Sequence, residues 1–390
     1  MGRQTDEKAA ATSAAVRNFQ HGKTALAHDW LTGFRGGEWI LEAFCEMFPE
    51  SPIYTLIHKS ASTSPKIEAH EIHTSFLNSI PGIHQSYRKF LPLFPIAAEH
   101  LSIARDIETV VSSSHCVIKG VPTPPGAYHL CYVHSPMRYM YDQFDSYFGP
   151  VSGAPFYQQI GAKVFRPYLT TWDRASNKSV NMLVANSSFV RDRIRKFYER
   201  DAVVVHPFVE TADFALAGAA STKDDFFLMV TAFAPNKRVD LAIAAFNELG
   251  LKLKIIGGGQ DNARLRAMAG STIEFLGSGI DRSGVISHMR KARAFIFPGV
   301  EDFGITPLEA LAAETPVIAF RAGGVLETLT KADSVYFEEP RSASLIAAVR
   351  EFETRERARD FKIDVGRLER FSRVRFKEQI SDLLQARETL

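Results

Sequence analysis

The stretch Glu301-Asp302-Phe303-Gly304-Ile305-Thr306-Pro307-Leu308-Glu309 joins two different residue patterns. Before it, Ala294-Phe295-Ile296-Phe297-Pro298 is apolar without alternation, the mark of a strand covered on both faces of a parallel sheet. After it, Pro307-Leu308-Glu309-Ala310-Leu311-Ala312-Ala313 reads as a helix with proline at its first position. A strand end, an acid, a glycine turn and a helix start therefore fall within nine residues. Such a junction directs backbone N–H groups and a positive helix end at whatever lies above the strand, a setting that favours phosphate. Glu301 and Glu309 flank the spot, and carboxylates accept well from sugar hydroxyls. A plainer reading competes: Thr306-x-x-Glu309 is a capping-box pattern, and Glu301 is then an ordinary solvated loop acid.

Outward from this stretch, strand and helix patterns alternate along the chain. In the first half, residues 24–30, 51–57, 109–113, 128–134, 182–186 and 203–206 read as strands, with helical spacing over 38–48 and 188–198. A fresh series begins at Phe226, with strands over 226–233, 253–256, 273–276 and 316–320 and helices over 239–249, 262–269 and 285–292. Alternation of this kind predicts an α/β protein of two Rossmann-like domains, each built on a parallel sheet. The Ala-, Gly- and Thr-rich segment around 201–225 reads as a linker between them. The division expected is a disordered tail over 1–22, a first domain over 23–208, a second over 209–372 and a terminal helix over 373–390.

Composition narrows the function classes. The 390 residues carry 46 basic against 44 acidic side chains, a near balance that gives no support to nucleic-acid binding by bulk charge. Hydrophobic content of 45% and charged content of 23% are those of a soluble globular protein, and no apolar run reaches a membrane-spanning length. Cys45, Cys116 and Cys131 sit in apolar segments without a CxxC pair, so they read as reduced core thiols of a cytoplasmic protein. The first twenty-two residues lack the apolar core of a signal peptide.

Ligands of parallel sheets sit at the carboxyl ends of strands, and several such ends carry groups that a core would not want. They are His28-Asp29, Ser112-Ser113-Ser114-His115, and His134 before Pro136. Gly36 and Gly37, with Gly33 and Arg35, form a strand-to-helix loop that lets backbone approach a ligand. Lys237 and Arg238 stand directly before a helix start, where the dipole disfavours cations, so they read as answering an anion such as a diphosphate. The triplet Gly257-Gly258-Gly259 fails the dinucleotide pattern, since Asn262 stands where a third glycine is needed. Residues 85–96 mix basic and large apolar side chains. They read first as core packing, and second as a surface touching anionic membrane through Arg88 and Lys89.

Taken together, AFAPNKRVD (232–240), RGGE (35–38), HSPMRYM (134–140) and the paired glutamates Glu301 and Glu309 resemble the retaining GT-B glycosyltransferases of family four, the glycosyl transferases group 1. The likeness is closest to bacterial mannosyltransferases of polysaccharide or O-antigen assembly and covers nearly the whole chain after the first twenty residues. The resemblance implies two domains facing across a cleft, with the terminal helix returning to the first. It implies a nucleotide-sugar donor, GDP-mannose favoured over a UDP-sugar, and a glycan or lipid-linked acceptor. Glu301 would hold donor-sugar hydroxyls, with backbone N–H groups of Phe303, Gly304, Ile305 and Thr306 near the sugar and diphosphate. Glu309 would accept from the ribose, Lys237 and Arg238 would neutralise the diphosphate, Gly36 and Gly37 would close over it, and Gly258 would approach the nucleotide. His134 would stand at the reacting face. Many family members carry arginine at the position of Ala232, five residues before Lys237. No D-x-D triplet occurs, so a metal clamp on the diphosphate is not expected. A non-catalytic nucleotide-sugar binder and a sugar-nucleotide epimerase on the same fold are the alternatives. The expected location is cytoplasmic, with peripheral contact at the inner face of the cell membrane as an extension.

Overall fold

The computed structural model describes residues 23–149, 154–215, 222–259 and 261–386. Residues 1–22, read above as a tail, lie outside the described residues, as do 216–221 of the linker segment. The described parts of Met1–His206 and Arg373–Leu390 form one compact unit, and those of Pro207–Ser372 form another.

The first unit is built on seven strands: β1 (Lys23–His28), β2 (Ile53–Thr55), β3 (Ile72–Thr74), β4 (Ile107–Ser114), β5 (Tyr128–Val133), β6 (Met182–Ala185) and β7 (Val203–Val204). They lie in the order β3-β2-β1-β4-β5-β6-β7, every pairing parallel. β1 and β4 are apolar and buried through their middles, and at their carboxyl ends they carry polar side chains that are buried as well, His28 and Ser112 to Ser114. The second unit has six strands: β8 (Phe227–Val230), β9 (Leu253–Ile256), β10 (Ile273–Gly277), β11 (Phe295–Phe297), β12 (Val317–Phe320) and β13 (Ser334–Phe337). Their order is β10-β9-β8-β11-β12-β13, again all parallel.

Each sheet starts in its middle, moves outward one way, then reverses. In the first unit the reversal lies between β1 and β4, in the second between β8 and β11. Loops leaving two such neighbours diverge to opposite faces and open a crevice at their carboxyl ends, where ligands of this architecture bind.

The terminal helix Arg373–Ala386 belongs to the first unit. Phe376 packs its ring tilted against Phe44 and edge-on to Tyr132, at ring separations of 5.8 and 5.6 Å, and Arg373 pairs with Glu42 and Glu46 on the helix Gly36–Met47. Sequence patterns left β3, β13 and the helices Phe156–Ser176 and Ser342–Arg357 without an assignment. β3 is a short edge strand with half-buried or exposed side chains, so no apolar run marks it. β7 is two residues long, shorter than the 203–206 expected. Residues 85–96 do pack into the core through Tyr87 and Phe94, while Arg88 and Lys89 stay exposed. The three cysteines are free and buried. Among the described residues no helix is long and apolar enough to cross a membrane.

Candidate functional site

In the second unit the reversal between β8 and β11 brings Lys237 and Glu301 together. Lys237 closes the 3-10 turn Pro235–Lys237 after β8, Glu301 follows β11, and Lys237 Nζ lies 2.5 Å from Glu301 Oε1. The two loops can meet because residue 299 is glycine: a Cβ there would stand 2.4 Å from Asn236 O and 2.8 Å from Lys237 Cα. Each side chain of the pair keeps about a fifth of its surface exposed, so an incoming ligand can reach both. Arg238 is turned away from this pair and bonds Asp240 through Nε and Nη2, at 3.1 and 3.3 Å.

The helix after Glu301 begins earlier than its sequence suggests. It spans Ile305–Ala312, with Gly304 as N-cap at φ +90°, so Pro307 is its third residue instead of its first. A positive φ that glycine alone adopts easily starts the helix before the proline. The capping-box reading of Thr306 and Glu309 is corrected at the same time, since Thr306 lies inside the first turn. Glu309 instead accepts from Arg282 Nη1 at 3.0 Å, and Arg282 also pairs with Asp213. Burial pushes the Glu309 carboxyl upward, the Arg282 charge pulls it back, and Asp213 adds to the rise. Phe303 buries its ring against Phe371, leaving its backbone as the group that a ligand could meet. Ile305 and Thr306 are half-buried at the helix start. Gly258 packs its backbone carbonyl on Phe233 N at 2.9 Å, and its own Cβ position is only in ordinary contact with Ser278. Arg282 escaped the sequence reading. It is the first residue of the helix Arg282–Lys291, a cation at a helix start, which is the signal that singled out Lys237.

In the first unit the reversal between β1 and β4 gathers histidines. His28 ends β1, Ser113 stands near the end of β4, and His134 follows β5. Ser113 Oγ lies 3.1 Å from His28 Nδ1 and 2.8 Å from His134 Nε2. With its own proton directed at one ring, the hydroxyl accepts from the other. His28 Nε2 is buried without a hydrogen-bond partner, and Glu38 Oε1 is 4.0 Å away. Burial, reinforced by neighbouring His115, lowers the pKa of His28 to about 3, and burial with His115 and Arg138 does the same for half-buried His134. Both rings are therefore neutral at ordinary pH and exchange hydrogen bonds without carrying charge. Asp29 is occupied structurally: its carboxylate accepts the N–H groups of His115, Cys116, Val117 and Ile118 at 2.7–2.9 Å, tying β1 to the turn after β4.

Gly36 and Gly37, expected in a loop, are the first residues of the helix Gly36–Met47. A Cβ on Gly37 would meet His28 Cε1 at 3.3 Å and His134 Nε2 at 3.7 Å, so the glycine lets the helix start lie directly on the histidines. Within the two units the candidate residues thus form two groups: His28, Glu38, Ser113 and His134 in the first, and Lys237, Glu301, Arg282 and Glu309 in the second.

Residues 214–364 match the family model described as Glycosyl transferases group 1. That match covers most of the second unit. Among curated proteins, the alpha-1,3/1,6-mannosyltransferase alg-2 of Neurospora crassa is 23% identical over 242 residues, 48% of this chain and 51% of that one. A GDP-mannose-dependent alpha-(1-6)-phosphatidylinositol dimannoside mannosyltransferase of Mycobacterium tuberculosis is 37% identical over 113 residues, 28% of this chain and 29% of that one. The chain spans about half, or less, of the length of these relatives. Among solved structures, sucrose-phosphate synthase of Thermosynechococcus elongatus superposes with a TM-score of 0.68 at 17% identity, covering 94% of this chain and 99% of that one. Anabaena HepE, solved in complex with UDP, gives 0.66 at 14% identity, covering 93% and 100%. At such identities the likeness concerns the fold, which is GT-B.

Proposed function

We propose that the protein is a retaining glycosyltransferase that moves a sugar from a nucleotide-sugar donor to a hydroxyl of a glycan or lipid-linked acceptor. Mannose from GDP-mannose is the favoured donor group, and bacterial surface polysaccharide assembly is the favoured setting. The observation that carries this reading is the Lys237–Glu301 pair at the strand-order reversal of a group 1 domain. The mannosyltransferase relatives support the choice of sugar.

The chemical problem is charge. As the bond from the anomeric carbon to the diphosphate lengthens, the sugar becomes oxocarbenium-like and the leaving oxygens gather negative charge. On this reading Lys237 turns from Glu301 to the diphosphate, and the start of the helix Ile305–Ala312 faces the same oxygens. One preorganised donor of this kind is worth about 3 kcal/mol in the transition state, near a hundredfold in rate. Glu301, released from Lys237, takes hydroxyls of the donor sugar. Glu309 takes the ribose hydroxyls while Arg282 holds its carboxylate in place. The acceptor oxygen bonds to the anomeric carbon on the face that the diphosphate leaves, its proton passes to a departing phosphate oxygen, and configuration is retained. His134, neutral, exchanges a hydrogen bond with a sugar hydroxyl. The group needs no metal on this reading, because cations and helix N–H groups meet the diphosphate charge.

The full chain is tested with labelled GDP-mannose and UDP-glucose, with and without a lipid-linked glycan. Lys237→Ala and Glu301→Ala are expected to lower donor turnover roughly a hundredfold or more, with melting temperatures close to wild type. Unchanged turnover in both variants sinks the assignment. Tight donor binding without turnover points to a nucleotide-sugar sensor, and conversion of donor alone to an isomer points to an epimerase.

A further inference from the structure

At the strand-order reversal of the first unit, His115 follows β4 and keeps 30% of its side chain exposed. Its ring stands edge-on to Trp30 at 4.3 Å and lies 6.1 Å from the His134 ring. Trp30 in turn packs 5.2 Å from Tyr87, and Arg88 lies over the Tyr87 ring at 5.5 Å. Arg35 is the N-cap residue of the helix Gly36–Met47, with its guanidinium folded back beside Gly33. Arg138 follows His134 in the loop after β5. Burial lowers the pKa of the His115 ring, and the charges of Arg138, Arg35 and Arg88 push it the same way. Three arginines from three separate loops thus stand within electrostatic reach of one half-open ring.

The acids nearby are already engaged. Asp29, fully buried, lies 3.2 Å from His115 Nδ1 and accepts the four N–H groups described above. Glu38, also buried, accepts from Arg35 N at 2.9 Å and faces His28. Asp142, exposed in the same loop as Arg138, pairs with Arg193 at 2.5 Å. Among the described residues no carboxylate forms a salt bridge with Arg35 or Arg88, and both are exposed. Like charges gathered around one ring repel one another and raise the energy of the empty site, and an incoming anion lowers it.

We propose that Arg35, Arg88 and Arg138 hold an oxyanion borne by the acceptor sugar itself, either the carboxylate of an acidic sugar or a phosphate ester. Guanidinium forks match both anions with paired hydrogen bonds, whereas a neutral glycan leaves the three charges unanswered. On the reading above, Lys237 and the start of the helix Ile305–Ala312 meet the donor diphosphate. Cations gathered in the other unit therefore call for a second anion. The 6.1 Å between the His115 and His134 rings is close to the span of one sugar ring, so the charge belongs on the sugar whose hydroxyl reacts. This inference rests on the glycosyl-transfer reading and narrows its acceptor to one with a fixed negative charge.

The full chain, with its histidine rings labelled, is titrated with methyl glucuronide, glucose 1-phosphate, methyl glucoside and GDP. The His115 resonance, identified by its loss in His115→Gln, is followed by NMR. At least one of the two anionic sugars is expected to move it, and the tighter of them names the source of the anion. Methyl glucoside is expected to leave it in place. Arg35→Gln with Arg88→Gln, both at exposed positions, is expected to weaken that binding roughly tenfold or more. Its melting temperature should equal the wild type or exceed it, because repulsion is relieved. The proposal is overturned if neither anionic sugar moves the resonance, if the neutral sugar moves it as far, or if the double variant binds as well as wild type. A lower melting temperature in the double variant also overturns it, since the arginines then serve the fold. So does GDP binding there more tightly than either sugar, which assigns the arginines to the donor diphosphate. The Lys237→Ala assay above does not involve these arginines, so failure of the transfer reading and failure of this one are told apart.

Discussion

His28, Ser113 and His134 share two hydrogen bonds through one hydroxyl, each constraining the other, and the Glu38 carboxyl lies beyond hydrogen-bond reach of His28 Nε2 but close enough to act by charge. A carboxylate 4.0 Å from His28 Nε2 favours the tautomer that keeps the proton on that nitrogen. His28 Nδ1 then accepts from Ser113, Ser113 accepts from His134 Nε2, and His134 Nδ1 is left as an acceptor. Glu38→Gln is nearly isosteric and can turn its amide toward His28, which reverses every donor in the row. Nitrogen NMR of labelled histidines, well above the carboxylate range of pH, is expected to show His134 protonated on Nε2 in the wild type and on Nδ1 in the variant. An identical His134 signature in both proteins rules the relay out. His134 was legible in the sequence as a polar group at a strand end. Its dependence on Glu38 was not, because Glu38 sits ten residues from His28 on another element and meets it only through the packing at Gly37.

At the scale of elements, close backbone approach does what the residue types alone do not announce. Gly299 allows the turn Pro235–Lys237 to rest on the end of β11. A methyl group at that position must displace the turn, because the atoms it would strike are backbone. Gly299→Ala is expected to cost about 1–3 kcal/mol in urea unfolding of the second unit, the usual penalty for overpacking. Loss of the Lys237–Glu301 contact should accompany it, seen as a changed Lys237 side-chain resonance. A stability equal to wild type would mean that the loops have slack and that the pair is not held. The junction from β11 to the helix Ile305–Ala312 was readable from apolar run, glycine and helix pattern. Its start was misread by two residues, because proline is the stronger sequence signal while the φ of Gly304 is visible only in the fold.

Across the whole molecule, two units whose first six strands follow the same order each carry their own buried core, so unfolding need not be a single transition. The first unit holds the buried histidines. His28 and His129 are fully buried, and burial lowers both pKa values to about 3 from an ordinary 6.5. The unfolded chain therefore binds protons that the folded unit refuses between those values. Their stabilising contribution is complete above the ordinary histidine range and is lost as pH falls toward the folded value, at about 1.4 kcal/mol per pH unit for each ring. The first unit's stability is expected to drop by on the order of 2–4 kcal/mol from neutral pH to about pH 5, before most carboxylates protonate. Denaturant titrations across that range check it, and a flat profile would show that the two rings take up protons in the folded state.

By itself the sequence determined the α/β class, the two series of strands and helices, and the residues Lys237, Glu301, Glu309 and His134 as groups out of place in a core. It could do so because apolar runs, helical spacing and polar strand ends are local properties of the chain. Only the tertiary structure decided that Lys237 pairs with Glu301, that Arg282 holds Glu309, that Asp29 is bound up in backbone N–H groups, and that Arg35, Arg88 and Arg138 gather around His115. Those outcomes depend on which loops share a strand-order reversal and which helix face meets the sheet. Contacts between residues tens of positions apart set both, and no stretch of sequence contains them.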